Sequence, residues 1–103
     1  MKYDIKSKCV KNIVSFYINV AKKYKHTYSE KLQNKNISEA YDSMLLVEKT
    51  LRRRKPTLSR WQSKGWHMAH SGKWYYAYTI EGDTITIQDA CHELNMHEEA
   101  DDK

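Results

Sequence analysis

Residues 65–92, GWHMAHSGKWYYAYTIEGDTITIQDACH, decide the fold. Apolar and polar residues alternate along the segments GWHMAH, KWYYAYTIE and DTITIQDACH, and a period of two is typical of β-strands. Residues 71–72 and 81–83 separate these segments, and each of the two connections contains a glycine suited to a tight hairpin turn. The stretch therefore predicts a three-stranded antiparallel meander.

A short strand and a helix are predicted at the beginning of the chain. Residues 2–6, KYDIK, alternate in the way expected of a strand. Apolar side chains then recur at helical spacing between Val10 and Tyr24, and Ser7 is a residue type that commonly caps a helix N-terminus.

A second helix is predicted before the meander. Ser38 is its expected N-cap, and apolar residues recur with a period of 3.6 over residues 41–51. The cations of residues 52–55 suit its last turn because they complement the helix dipole, and Pro56 would end it. Residues 29–34 are also predicted to form a short helical turn.

These elements predict a single α+β domain over residues 1–103: a short N-terminal strand, a two-helix hairpin, the meander packed on the helices, and a short C-terminal tail. Helices on one face of the sheet would leave its other face free for function. The longest uncharged run near the start, residues 12–21, is too short to cross a bilayer. Two cysteines make no disulfide framework. We therefore expect a reduced, cytoplasmic protein without a membrane segment.

Charge is divided unequally along the chain. Residues 1–73 contain 17 of the 18 Lys and Arg and five acids, whereas residues 74–103 contain eight acids and one Lys. The two parts therefore carry +12 and −7, which sum to the net charge of +5. A one-sided basic surface suits a polyanion or an acidic protein, although a lysine-rich solvated surface would give the same count.

Histidines and aromatic residues are concentrated on or beside the meander. On an exposed sheet face they would suit single-stranded RNA, because unpaired bases stack on aromatic rings while phosphates contact Lys and Arg. Metal-independent RNA cleavage needs a base and an acid, and histidine serves either role near neutral pH. Taken singly, such aromatic residues are commoner in a core. The residues in question are His67, His70, His92, His97, Trp66, Trp74, Tyr75, Tyr76 and Tyr78.

Some of these residues are also metal ligands by type. A tetrahedral zinc site would need four of His67, His70, Cys91, His92 and His97. Residues three apart in a strand point to opposite faces, so His67 and His70 are not expected to converge. We therefore predict neither a metal nor any other cofactor.

The order of the predicted elements resembles that of the RelE/ParE superfamily of bacterial toxins. In residue pattern the resemblance lies in 29 of the 103 residues, KGWHMAHSGKWYYAYTIEGDTITIQDACH at 64–92, and it is closest to RelE- and YafQ-type toxins. It implies a RelE-like fold and the toxin of a type II toxin–antitoxin system. It further implies an endoribonuclease that cleaves mRNA without a metal, at the ribosome, and so inhibits translation. A cognate antitoxin is then the expected protein partner.

The resemblance also implies roles for particular residues. His70 and His92 match histidines of the YafQ-like catalytic site, and we expect them to form the acid/base pair. Trp74 matches an aromatic residue of that branch and is the expected base platform. Asp89 lies one residue from the position of an aspartate in another branch and would orient an imidazole or raise its pKa.

Cations for the RNA backbone must come from outside residues 74–102, which contain no Lys or Arg. Lys73 is therefore the predicted phosphate contact of the catalytic site. Two alternatives are left open: a ParE-like inhibitor of DNA gyrase, which needs no histidine pair, and a non-catalytic relative. The wider RNA-binding surface is predicted to include Trp74, Tyr76, His67, Arg60, Lys64, Arg52, Arg53, Arg54 and Lys55, together with Lys22, Lys23 and Lys25.

Overall fold

The computed structural model describes residues 2–24, 26–50 and 56–96. The predicted α+β class, the N-terminal strand, the two helices and the antiparallel meander are confirmed. In chain order the elements are β1 (Lys2–Ile5), α1 (Ser7–Lys23), α2 (Glu30–Met44), a 3-10 turn (Val47–Thr50), α3 (Ser59–Gln62), β2 (His67–Ser71), β3 (Trp74–Glu81), β4 (Thr84–His92) and a second 3-10 turn (Glu93–Asn95).

The four strands form one mixed sheet in the order β1-β4-β3-β2. The meander is antiparallel, whereas β1 pairs in parallel with β4, from Lys2 opposite Thr84 to Ile5 opposite Ile87. Since β1 ends at Ile5, no described strand pairs with this edge of β4 beyond Ile87. The first half of α1 lies along that part of β4 instead, and Cys9 Sγ donates to Ile87 O at 3.3 Å.

The second helix differs from its prediction at both ends. Ser29 is the N-cap of α2, and its side-chain oxygen accepts a hydrogen bond from Leu32 N at 3.1 Å. The predicted turn at 29–34 therefore belongs to α2, and Ser38 lies inside the helix. The helix ends at Met44 rather than near residue 51. Residues 52–55, predicted to charge its last turn, lie outside the described residues.

The helices cover one face of the sheet. Alternate residues of β3 and β4 point toward α1 and α2 and form the larger core. Each large apolar side chain buried there contributes about 1.5–3 kcal/mol to the stability of the fold. Its buried members include Trp74, Tyr76, Tyr78, Ile85, Ile87 and Ala90 from the strands, Cys9, Ile13 and Tyr17 from α1, and Ala40 and Met44 from α2.

The opposite face of the sheet is not free, so that expectation is wrong. The segment before β2 folds over it, and Leu58 and Trp61 are fully buried there. They form a second cluster with Met68, Ala77 and Cys91. Residues three apart on a helical turn share one side, which lets Leu58 and Trp61 contact the sheet together.

One extra residue interrupts β4. Ala77 of β3 pairs with Asp89, whereas Tyr78 pairs with Ile87, so Gln88 has no opposite residue and forms a β-bulge. A bulge shifts the alternation of side chains by one position. Ile87 faces the helices before the bulge, and His92 faces them after it.

Candidate active site

A polar cleft of about 450 Å³ lies between α1 and the end of β4, at the edge that β1 leaves uncovered. Its walls carry one imidazole, one guanidinium, and hydroxyl and amide groups. Among the described residues that line it there is no carboxylate. The lining residues are Asn12, Ser15, Phe16, Asn19, Arg60, Trp74, Ala90, Cys91, His92 and Asn95.

The α1 wall of the cleft was missed by sequence reasoning. Asn12, Ser15, Phe16 and Asn19 are spaced by three and four residues, so they share one side of the helix. A signal was present in the sequence, because this uncharged stripe stands in a helix with four lysines, two of them in its last turn.

His92 is held in a fixed orientation at the end of β4. Its Nδ1 accepts a hydrogen bond from Leu94 N at 3.1 Å. Its ring stacks on Phe16 at a centroid distance of 4.1 Å and meets the Trp74 ring edge-on at 5.2 Å. Because Nδ1 is the acceptor, the neutral ring carries its proton on Nε2. His92 can therefore donate a hydrogen bond from Nε2.

The pKa of His92 is lowered from its usual value. Burial, which leaves 6% of the residue exposed, is the main cause, since a charged imidazole loses hydration there. The cation of Lys73 lowers the pKa further, and the carboxylate of Glu93 opposes both effects. His92 is consequently neutral in most molecules near pH 7, and its protonated form is a stronger acid than a free imidazole.

The lowered pKa predicts a pH dependence of stability. In the range between the folded pKa and the unfolded value of about 6.5, the unfolded chain binds more protons than the folded one. The free energy of unfolding should therefore fall as pH drops below about 6.5. We expect wild type to lose more stability than His92→Gln between pH of about 7.5 and about 5, measured by urea unfolding. Equal losses in both proteins would contradict the shift.

Asp89 holds the two walls of the cleft together instead of orienting an imidazole. Its carboxylate accepts hydrogen bonds from Asn12 Nδ2 of α1 and Trp61 Nε1 of α3, each at 2.8 Å. Lys8 Nζ lies 3.6 Å from Oδ2. The bulge before Asp89 and the alternation after it direct this side chain away from the face that holds His92. The predicted orienting role is therefore corrected to a structural one.

The structure does not bring His70 and His92 together. His92 is opposite Trp74 on the helix-covered face of the sheet, whereas His70 is opposite Tyr75 on the other face. The His70 ring stacks on Tyr75 at 4.2 Å, and its Nε2 lies 3.4 Å from Glu93 Oε1. Alternation along the strands separates the two imidazoles, so they do not form the predicted pair across one cleft.

The predicted base platforms are largely buried. Tyr76 has no exposed surface, and its hydroxyl lies 2.6 Å from Ser43 Oγ. Trp74 is also buried, and its Nε1 donates to Tyr17 OH at 3.3 Å. Large rings on the helix-covered face pack into the core for the reason that makes them bind bases elsewhere, namely their apolar area. Tyr76 offers no face to RNA, and Trp74 only borders the cleft.

Among the other predicted residues, Arg60 lies in the cleft. Lys73 is exposed in the turn between β2 and β3, and Lys64 Nζ lies over the Trp66 ring at 5.1 Å. His67 lies beside the Tyr78 ring at a centroid distance of 5.6 Å, away from His92. Outside the described residues lie Arg52, Arg53, Arg54 and Lys55, as well as Lys25 and His97.

Comparison of the sequence with protein-family models and with curated proteins finds no match. Within residues 2–24, 26–50 and 56–96, no three His, Cys, Asp or Glu side chains converge in a way that could hold a metal ion. In the same segments, every helix is too short or too polar to cross a membrane.

Proposed function

We propose that the chain is a RelE-like toxin of a type II toxin–antitoxin system, an endoribonuclease that cleaves mRNA at the ribosome. One observation carries the proposal: His92 and Arg60 line the same cleft, together with hydroxyl and amide donors. The order of strands and helices agrees with the RelE-like fold that the resemblance implies.

The chemistry of the cleft suits attack by a 2′-hydroxyl on the adjacent phosphate. The 2′-oxygen forms a bond to phosphorus, its proton passes to water, and the bond to the 5′-oxygen breaks. Arg60 would bind the phosphate through its planar guanidinium and stabilise the additional negative charge. The His92 imidazolium would donate its Nε2 proton to the leaving 5′-oxygen. The products are a 2′,3′-cyclic phosphate and a 5′-hydroxyl.

A protein partner and a location follow from the same proposal. A cognate antitoxin would cover the cleft or the cationic surface, because residues 1–73 carry +12. The net charge of +5 also favours association with ribosomal RNA. Action on ribosomes places the toxin in the cytoplasm.

One observation favours a second candidate, a ParE-like inhibitor of DNA gyrase. His70 and His92 lie on opposite faces of the sheet, and β3 and β4 contain no Lys or Arg. A protein that only binds gyrase needs neither a pair of histidines nor a strand cation. A non-catalytic relative would share these features, and the experiment that follows separates the three possibilities.

Induced expression in a bacterial host should arrest growth and create new 5′ ends in transcripts, which RNA sequencing would map. Arg60→Ala should reduce the cleavage of a reporter transcript by roughly 10²-fold, because the developing phosphate charge loses its main partner. The matched control is Lys31→Ala, a change of an exposed cation on α2 outside the cleft.

Growth arrest with DNA breaks, an SOS response and intact transcripts would instead identify the gyrase inhibitor. Normal growth with intact transcripts would identify the non-catalytic relative. An equal loss of cleavage in Arg60→Ala and Lys31→Ala would mean that net charge, and not the cleft, determines activity.

A further inference from the structure

The cleft continues into a second groove along α1. This groove has a volume of about 370 Å³ and shares Phe16, Asn19 and Asn95 with the cleft. The shared residues place the two depressions side by side along α1, and together they are called the channel. The groove adds Val20, Lys23, Tyr24 and Leu94.

The channel follows a single side of α1. Asn12, Phe16, Asn19 and Lys23 succeed one another at intervals of three or four residues, which places them in one line along the helix. With a rise of 1.5 Å per residue, this line is about 16 Å long. A ligand that fills only the cleft would leave the far half of the channel empty, so its length suits an extended chain.

The far half of the channel differs in chemistry from the cleft. Tyr24 is 51% exposed and Leu94 is 72% exposed, and both border the groove. Lys23 Nζ lies 5.7 Å from the centre of the Tyr24 ring. An exposed aromatic ring beside a cation and side-chain amides is the arrangement that binds single-stranded nucleic acid. The buried Trp74 and Tyr76 cannot supply such a ring, whereas Tyr24 can.

We propose that this groove binds the nucleotide next to the scissile phosphate of a single-stranded RNA. Its base stacks on Tyr24, its phosphate pairs with Lys23, and the amides of Asn19 and Asn95 contact the chain between the groove and His92. The inference rests on the proposed function, since it assumes that the cleft holds RNA. It adds a subsite and the residues that form it.

The test is the affinity for a fluorescent 2′-O-methyl RNA oligonucleotide, which has no 2′-hydroxyl and cannot be cleaved, measured by anisotropy. Tyr24→Ala should weaken the Kd by roughly 5- to 100-fold, in line with the loss of one stacked base. Tyr24→Phe keeps the ring and should bind like wild type. Tyr41→Ala is the matched control, because Tyr41 is 44% exposed on α2 and borders neither the cleft nor the groove.

Lys23→Gln should make the negative slope of log K against log salt shallower by about 0.7, as expected for one lost phosphate contact on a single strand. Lys31→Gln, on α2, should leave that slope closer to the wild-type value. Equal slopes in the two variants would assign Lys23 to general charge and overturn its role in the subsite.

Failure of the subsite and failure of the proposed function give different results. If wild type binds the oligonucleotide and Tyr24→Ala binds equally well, the subsite is overturned while the nuclease proposal stands. If wild type does not bind RNA, both are overturned. If an acidic peptide binds in the groove and RNA does not displace it, the groove belongs to a protein partner and the inference is wrong.

Discussion

His92→Ala should lower the rate of RNA cleavage by about 10²–10⁴-fold, the usual cost of losing a general acid. His70→Ala should retain nearly the wild-type rate, because His70 stacks on Tyr75 on the opposite face of the sheet. The measurement is the single-turnover rate on a labelled mRNA fragment, with ribosomes present.

Two controls separate chemistry from folding. Circular dichroism and urea unfolding would show whether His92→Ala remains folded, since the ring packs between Phe16 and Trp74. The wild-type rate should fall as pH rises above the lowered pKa of His92, and the variant should lack that dependence. If His70→Ala lost as much activity as His92→Ala, the two histidines would act as a pair despite their positions.

Asp89→Ala should lower the free energy of unfolding by about 2–5 kcal/mol, one of the largest effects expected of a single substitution here. The carboxylate is buried, and it satisfies the side-chain N–H groups of both Asn12 and Trp61. Alanine would leave Trp61 Nε1 without an acceptor in the second cluster, on the sheet face away from the helices α1 and α2. It would also remove the link that Asp89 makes between α1 and α3, which carry the two walls of the cleft.

Urea unfolding followed by tryptophan fluorescence would measure this loss. Asp42→Ala, a change of an exposed aspartate on α2, is the control and should stay within about 0.5 kcal/mol of wild type. Lys8→Ala should cost no more than about 1 kcal/mol, because the Lys8 side chain is 61% exposed and its ion pair is screened by water. A loss in Asp89→Ala as small as that of Lys8→Ala would show that the hydrogen bonds of Asp89 do not hold the walls.

Much of the fold could be predicted because local patterns determine it. The alternation over residues 65–92 locates all three strands of the meander, and the spacing from Val10 to Tyr24 locates α1. The start of α2 was misplaced because two serines precede apolar residues at helical spacing. The hydrogen bond from Leu32 N to Ser29 selects the earlier serine, and Ser38 has the same local pattern without capping the helix.

The candidate site was harder to predict because it depends on which face each side chain occupies. His92 and Arg60 were both predicted, and both line the cleft. The bulge at Gln88 decides which face His92 occupies, and the local sequence ITIQDACH does not reveal whether the extra residue is there. The prediction that His70 pairs with His92 assumed that both side chains lie on the same face of the sheet. The prediction of a free sheet face failed for a similar reason. Leu58 and Trp61 cover that face, and they lie before the meander in the chain, so the pattern of the meander does not reveal them.

The bulge has a consequence for sequence alignment. Residues after Gln88 are offset by one position relative to β3. They therefore face the side of the sheet opposite to the one that uninterrupted alternation would give. A gap-free alignment with a chain that lacks the bulge would match His92 to a residue on the wrong side of the sheet. An alignment of this chain should therefore permit a one-residue gap at Gln88, which keeps residues of the same sheet face matched on both sides of the bulge.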